Sequence, residues 1–326
     1  MSLEADYIVD RRRMRRKLIF WRTLAVVLAI AGIAVTVSMV GGSGRLTDAG
    51  SGQIARISVN GLIRGDKDRV EALETLGKSG VLAVIVHVDS PGGTTAGSEQ
   101  LHDALRRLAE KKPTVVVVDG MAASGAYIAA MASDHIIAMD TSLVGSIGVL
   151  FQYPNYTDLL KTVGEKVEAE KSSPLKAAPS GFEPTSPEAI AALDSIVKDS
   201  YAWFRGIVRD RRHLDGEALD RVADGRVFTG RQAVELKLVD ELGNERTAVD
   251  WLAKAKGIDA NAAVRDYRLR SRLNDLSFLH LSSVAILDMI GLHGLAQQLE
   301  ETGTLQSIDR LNLDGLLALW HPSANN

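Results

Sequence analysis

Apolar runs of strand length alternate with stretches of helical period through the first half of this chain. QIARISVNG (53–61) reads as a strand, VLAVIVHVD (81–89) as a second, apolar but for His87 and Asp89, and PTVVVVDG (113–120) is a third strand closed by a turn. Between them, residues 68–77 and TTAGSEQLHDALRRLAEKK (94–112) have helical periodicity, and the alanine-rich stretch 124–132 reads as a further helix. HIIAMD (135–140) and GSIGVL (145–150) supply short strands beyond it. Continuous apolar strands alternating with helices predict an α/β fold whose parallel sheet is covered on both faces.

The pattern then changes. Residues 165–187 carry four prolines and read as loop, before a long helix from near Pro187 to about His213 and another around 246–256. After residue 257 the chain shows apolar clusters, LSSVAILDMIGL (281–292) and LNLDGLLALW (311–320), separated by polar turns. That tail reads as an appendage, and autoinhibitory occupation of a cleft is one expectation for it.

A different pattern precedes all of this. DRRRMRRKLIFWR (10–22) leads into TLAVVLAIAGIAVTVSMV (23–40), which contains no charge. Roughly 20 apolar residues cross a bilayer, so 18–40 is long enough for one span, with Arg22 able to snorkel to the headgroups. The basic residues before it predict a cytoplasmic N-terminus and an exported remainder. A cleaved signal peptide is the competing reading, but its apolar core is about 7–15 residues and it ends at a small-x-small site, which VSMVGGSG (37–44) supplies poorly. The expected domains are a basic tail (1–17), a transmembrane anchor (18–40), a Gly/Ser-rich tether (41–52), a globular domain (53–256) and the appendage (257–326).

Composition narrows the chemistry. Among 326 residues with a net charge of -3 there is no basic stripe interleaved with aromatics, so nucleic acid is not an expected partner. Without cysteine, disulfide, thiolate and zinc–cysteine chemistry are excluded. The seven histidines are scattered and form no metal-ligand spacing, and neither metal nor cofactor is expected.

Two turns carry the candidate chemistry. In DGMAASGAYIAA (119–130), Ser124 follows a buried strand and opens a helix among glycines and alanines, where backbone N–H groups are free. A plain serine helix cap explains an isolated ASG equally well. The strand VLAVIVHVD ends in SPGG (90–93), and glycines at the carboxyl end of a parallel strand let backbone amides face a ligand. Together the turns suggest an oxyanion hole donated by the N–H groups of Gly93 and Gly125. Lys176, in EKSSPLKAAPSG (170–181), is the candidate general base, and His135 the lesser one. A lysine acting as base must shed its charge, which an apolar loop closing over the site promotes.

The set DSPGG (89–93), DGMAASGAYIAA (119–130), GSIGV (145–149), KSSPLK (171–176) and DGRVFTGRQAVELKLVDELG (224–243) resembles the signal peptide peptidase A family, in its short form with one catalytic block. These are membrane-anchored serine peptidases with a Ser–Lys dyad, on a fold shared with the Clp protease and crotonases. The resemblance covers about residues 53–256. It implies Ser124 as nucleophile, Lys176 as base and Ser146 as support for that lysine. It further implies remnant signal peptides or other apolar peptides as substrates, a homo-oligomeric ring with dyads completed across subunits, and a bacterial plasma-membrane location with the catalytic domain outside the cytoplasm. Three alternatives stay open: an exported peptidase cutting a membrane protein, a crotonase-like acyl-CoA enzyme, and an inactive ring scaffold. SSP stands where many family members have a glycine after Lys-Ser, and the tail after 257 matches no part of the family.

Overall fold

The computed structural model describes residues 52–269, the backbone of 317–319, and positions 17, 20 and 21 near the N-terminus. The expected span over 18–40, most of the tether and most of the appendage lie outside the described residues. Among the described residues no helix is long and apolar enough to cross a membrane.

Eight strands form one mixed sheet in the order β7-β6-β4-β2-β1-β9, with β5 beside β4 and β8 beside β5. The strands are β1 (Ile54–Asn60), β2 (Ala83–Ser90), β4 (Thr114–Ala123), β5 (His135–Ala138), β6 (Leu143–Gly145), β7 (Val227–Thr229), β8 (Glu241–Leu242) and β9 (Val264–Asp266). Every pairing is parallel except β6 with β7. β4 is long enough to have two neighbours in succession: Val115–Val118 pair with β5, and Met121–Ala123 pair with β6. A short strand, β3 (Gly92–Thr94), leaves β2 at the SPGG turn and pairs outside this sheet with β10 (Leu317–Leu319).

The helices between these strands are α1 (Lys67–Lys78), α2 (Thr95–Ala109), α3 (Gly125–Ala130), α4 (Thr157–Val163), α5 (Pro187–Arg212), α6 (Gly216–Val222), α7 (Gly230–Glu235) and α8 (Glu245–Lys256). Alternate residues of the central strands feed two cores, as a sheet covered on both faces requires. Ile57, Val59, Val84, Val86 and Val116 join the larger core with α1, α2, α3 and the second half of α5. Ile54, Ile85, Val115 and Val117 join the smaller one under Ala248 and Leu252 of α8. α3 has no exposed residue. Its alanines and glycine allow it to sit inside the protein, since a helix apolar all round is a buried helix.

The long helix α5 starts and stops where its end residues dictate. Ser186 caps Ala189 N–H, Pro187 occupies the first turn, and His213 closes it in the left-handed conformation. Its second half is anchored by fully buried Phe204 and Val208, but its first half exposes Ile190 and Ile196. The same arm exposes Leu159, Val163, Leu175 and Phe182. α4, with no buried residue, was not expected from the sequence. The sheet also continues past residue 256, where β9 closes its edge against β1. VRD has no apolar alternation, so this part of the expected appendage gave no strand signal.

Where α8 ends its cover, the smaller core turns polar. Arg56 holds Glu245 through two hydrogen bonds, at 2.5 and 2.6 Å, and Asp266 at 2.8 Å. His87 bridges Asp119 and Glu245, with Nε2 2.9 Å from the latter. The Arg56 guanidinium keeps the Glu245 carboxyl below the usual carboxylate range against the opposing effect of burial, and His87 assists. A carboxyl depressed in the folded state contributes stability that is present above its unfolded pKa and lost as pH falls through the folded one. Stability should therefore drop as the pH is taken below the ordinary glutamate range. Glu245→Gln should melt earlier at neutral pH and show a shallower acid loss; parallel melting curves from pH 7 to 3 check this.

Candidate active site

Ser124 sits at the carboxyl end of β4, at the turn into α3. Its backbone is left-handed, with φ 56 and ψ -119. Non-glycine residues in such regions store on the order of 1–3 kcal/mol and persist only where the surroundings enforce them. Here the Ser124 N–H donates to Gly145 O at 2.8 Å, and Ser124 O accepts from the N–H groups of Tyr127 and Ile128. Gly125 and Ala126 N–H precede the first helical bond and are left without a helical acceptor.

The helix-cap reading of Ser124 fails on this geometry. Its side chain makes no cap hydrogen bond, and its Oγ is buried without any partner. A buried hydroxyl without a partner costs about 1–3 kcal/mol. A hydroxyl kept at that cost, on a strained strand-to-helix turn, is the arrangement that presents a nucleophile.

The glycine turn lies alongside. Gly92 has φ 102, and Ser90, fully buried, pins the turn: its Oγ donates to Gly61 O at 2.6 Å and accepts from Gly92 N–H at 3.1 Å. Ser90 is a positioning residue that sequence reasoning passed over; a serine directly before Pro-Gly-Gly was its signal. Ile63 lies against one edge of β3, donating to Gly92 O at 2.8 Å and accepting from Thr94 N–H at 2.9 Å. Strand alternation then turns the N–H and C=O of Gly93 toward the opposite edge. Gly93 can be nothing larger, because a Cβ there would lie 1.8 Å from Ile63 O. Its N–H therefore faces outward from the turn that ends β2, and β2 pairs with β4 as far as Ser90 with Ala122, two residues before Ser124.

Ser146 follows directly on Gly145, the residue that takes the Ser124 N–H. It is buried, has φ 52, and donates its own N–H to Arg226 O at 2.8 Å. Ser124, Gly125 and Ser146 are thus joined through one backbone linkage. Lys176 is placed differently. It is exposed on the loop between α4 and α5, with its N–H on Ser173 O, and no hydrogen bond links it to Ser124 within the chain. Within one chain Lys176 is therefore not buried, as a neutral lysine would have to be. His135 lies at the other end of the sheet: it pairs with Val115, nine residues before Ser124, or about 25–30 Å at ~3.3 Å per residue. There it contacts Glu241 at 2.8 Å and stacks on Trp251. It cannot serve Ser124 from that position. No cluster of metal-ligating side chains occurs among the described residues.

The geometry invites comparison with known proteins. The model of the family described as "Peptidase family S49" matches residues 106–259. A candidate protease of Synechocystis is 38% identical over 216 residues, which are 66% of this chain and 78% of that protein. A candidate signal peptide peptidase A of Enterococcus faecium is 32% identical over 235 residues, 68% of each chain. Among solved structures, a ClpP1 variant from Listeria monocytogenes superposes with a TM-score of 0.42 at 13% identity, over 63% of this chain and 97% of that one.

Proposed function

The chain belongs to peptidase family S49 and is a serine peptidase, and from that premise we propose that Ser124 is its nucleophile and Lys176 its general base. The observation that carries the first assignment is the buried Ser124 Oγ, free of any partner and held on a left-handed backbone. Neutral Lys176 takes the Ser124 proton as Oγ attacks a peptide carbonyl, and the oxyanion is met by the Gly93 and Gly125 N–H groups. The protonated lysine then gives its proton to the leaving amine. With Lys176 neutral again, it activates the water that releases the acyl group. Ser146, beside the nucleophile, supports the lysine.

Because one chain leaves Lys176 exposed and Ser124 unpartnered, the lysine is supplied by a neighbouring copy in a homo-oligomeric ring. The exposed apolar residues of the arm support such an assembly, since large apolar surfaces mark interfaces. Burial at that boundary would favour the neutral amine. The finer reading is a Clp- and crotonase-like domain, anchored in a bacterial plasma membrane by 18–40 with the site outside the cytoplasm. It degrades signal peptides or similar apolar segments, a substrate class suggested by the name of the Enterococcus relative and by the basic-then-apolar N-terminus.

The test compares detergent-solubilised full-length wild type, Ser124→Ala and Lys176→Ala on an apolar fluorogenic peptide. Both variants should be inactive, and co-assembling them should restore roughly a quarter of the wild-type rate, because random mixing in a symmetric ring pairs an intact serine with an intact lysine that often. Activity that survives Lys176→Ala would remove the lysine from the reading. Inactive variants that fail to complement would place both members of the dyad in one copy.

A further inference from the structure

The edge of β3 that Gly93 faces is occupied by the chain's own C-terminal segment. β10 runs antiparallel to β3, with Leu317 opposite Thr94, Ala318 opposite Gly93 and Leu319 opposite Gly92. It also runs beside α2 and beside α3, the helix that Ser124 opens. An extended peptide laid against an open strand edge is a standard way to hold a peptide through its backbone. Ile63 fills the other edge of β3, so a peptide has this edge alone to join.

We propose that residues 317–319 are an internal occupant of the peptide-binding edge and hold the resting enzyme closed. This rests on the peptidase reading above. Three features support it. The register sets Ala318 against Gly93, the residue whose outward N–H the reaction needs for its oxyanion, so the segment and a reacting substrate compete for one donor. Gly315–Trp320 carries no charge and centres on a small residue, which is the chemistry of an apolar peptide substrate. The segment is also covalently tethered, which gives it an effective concentration on the order of mM, well above that of a dilute substrate. A three-residue pairing is weak by itself, so displacement by a longer apolar peptide is expected. The device is a threshold, not a permanent block.

Full-length wild type, Ala318→Pro and Ser124→Ala test it. Proline removes a backbone N–H and is not accepted inside a pairing strand. Ala318→Pro should lower KM for the fluorogenic peptide about 2- to 10-fold with kcat unchanged, the range expected when a tethered competitor at ~mM is released. A synthetic peptide spanning 313–322 should restore the wild-type KM competitively. Amide hydrogen exchange at Gly93, whose N–H faces the segment, should become faster in the variant, a readout independent of turnover. Equal exchange at Gly93 in wild type and Ala318→Pro, or an unchanged KM with hydrolysis that depends on Ser124, would overturn the proposal and leave the peptidase reading standing. Faster exchange in a protein without any Ser124-dependent hydrolysis would overturn the peptidase reading, and this one with it.

Discussion

Ser124→Gly should abolish peptide hydrolysis and raise the melting temperature of the same protein. The loss follows from the proposed role of Ser124, since removing its nucleophile costs a serine peptidase up to about 10⁶-fold in kcat. The gain follows from two features of the wild-type turn. At φ 56 and ψ -119 a glycine carries no Cβ penalty, so strain of roughly 1–3 kcal/mol is released. The buried hydroxyl without a partner disappears as well, removing a further cost of about 1–3 kcal/mol. Against these, glycine loses about 0.5–1 kcal/mol more backbone entropy on folding. The balance favours the variant by at least ~1 kcal/mol, a shift of about 2–4 °C for a domain of this size. Ser124→Ala shares the loss of activity but keeps the strain, so it should melt below Ser124→Gly. Calorimetry on the three proteins decides it. A glycine variant that melts below the alanine one would mean that the turn stores no strain.

Gly93→Ala should be the most damaging single methyl in the catalytic half. The added carbon would lie 1.8 Å from Ile63 O and 2.5 Å from Ile63 C, both backbone atoms, so the two segments must part. Parting them swings the Gly93 N–H away from its outward aim. In the oxyanion role proposed for it, loss of that donor costs about 10²–10³ in kcat, and the forced separation costs about 1–3 kcal/mol of stability. Gly206→Ala is the matched control. It lies within α5 with open space around it and should be neutral or stabilising by up to about 1 kcal/mol. Steady-state kinetics and melting curves on the pair separate a local lesion from a general intolerance of alanine.

The core of the fold was legible because its strands are continuous apolar runs and its long helix carries its own signals, Ser186 and Pro187 at the start and basic residues in the last turn. Elements without such internal signals were not legible. α4 buries no residue, so its pattern holds no apolar stripe for a core to impose. β9 is three residues at an edge and gains its place from its neighbour β1. At the site, residue types and turns pointed to Ser124, Gly93 and Gly125, and the resemblance added Ser146; all four lie at or next to strand ends, where local sequence dictates the backbone. Lys176 was a candidate base from its loop and was matched by the resemblance, but its partner is not set by local sequence at all. The unoccupied hydroxyl on Ser124 was invisible in the sequence, since ASG caps helices as readily as it presents nucleophiles.

The antiparallel pair β6–β7 has a consequence for how this architecture can be varied. Gly145 pairs with Val227, and the Ser146 N–H reaches Arg226 O, so everything between those positions leaves and returns through one clasp. Phe204 and Val208 nail down the returning limb, and residues 151–200 contain no strand of the sheet. In topological terms it is a cassette. If the proposed ring forms through this arm, exchanging it for the corresponding stretch of a relative would alter which copies meet, and how many, without asking any strand to move. The clasp that permits such an exchange ends one residue from the carbonyl that accepts the Ser124 N–H. A new arm would therefore be inherited by the catalytic turn together with its neighbours.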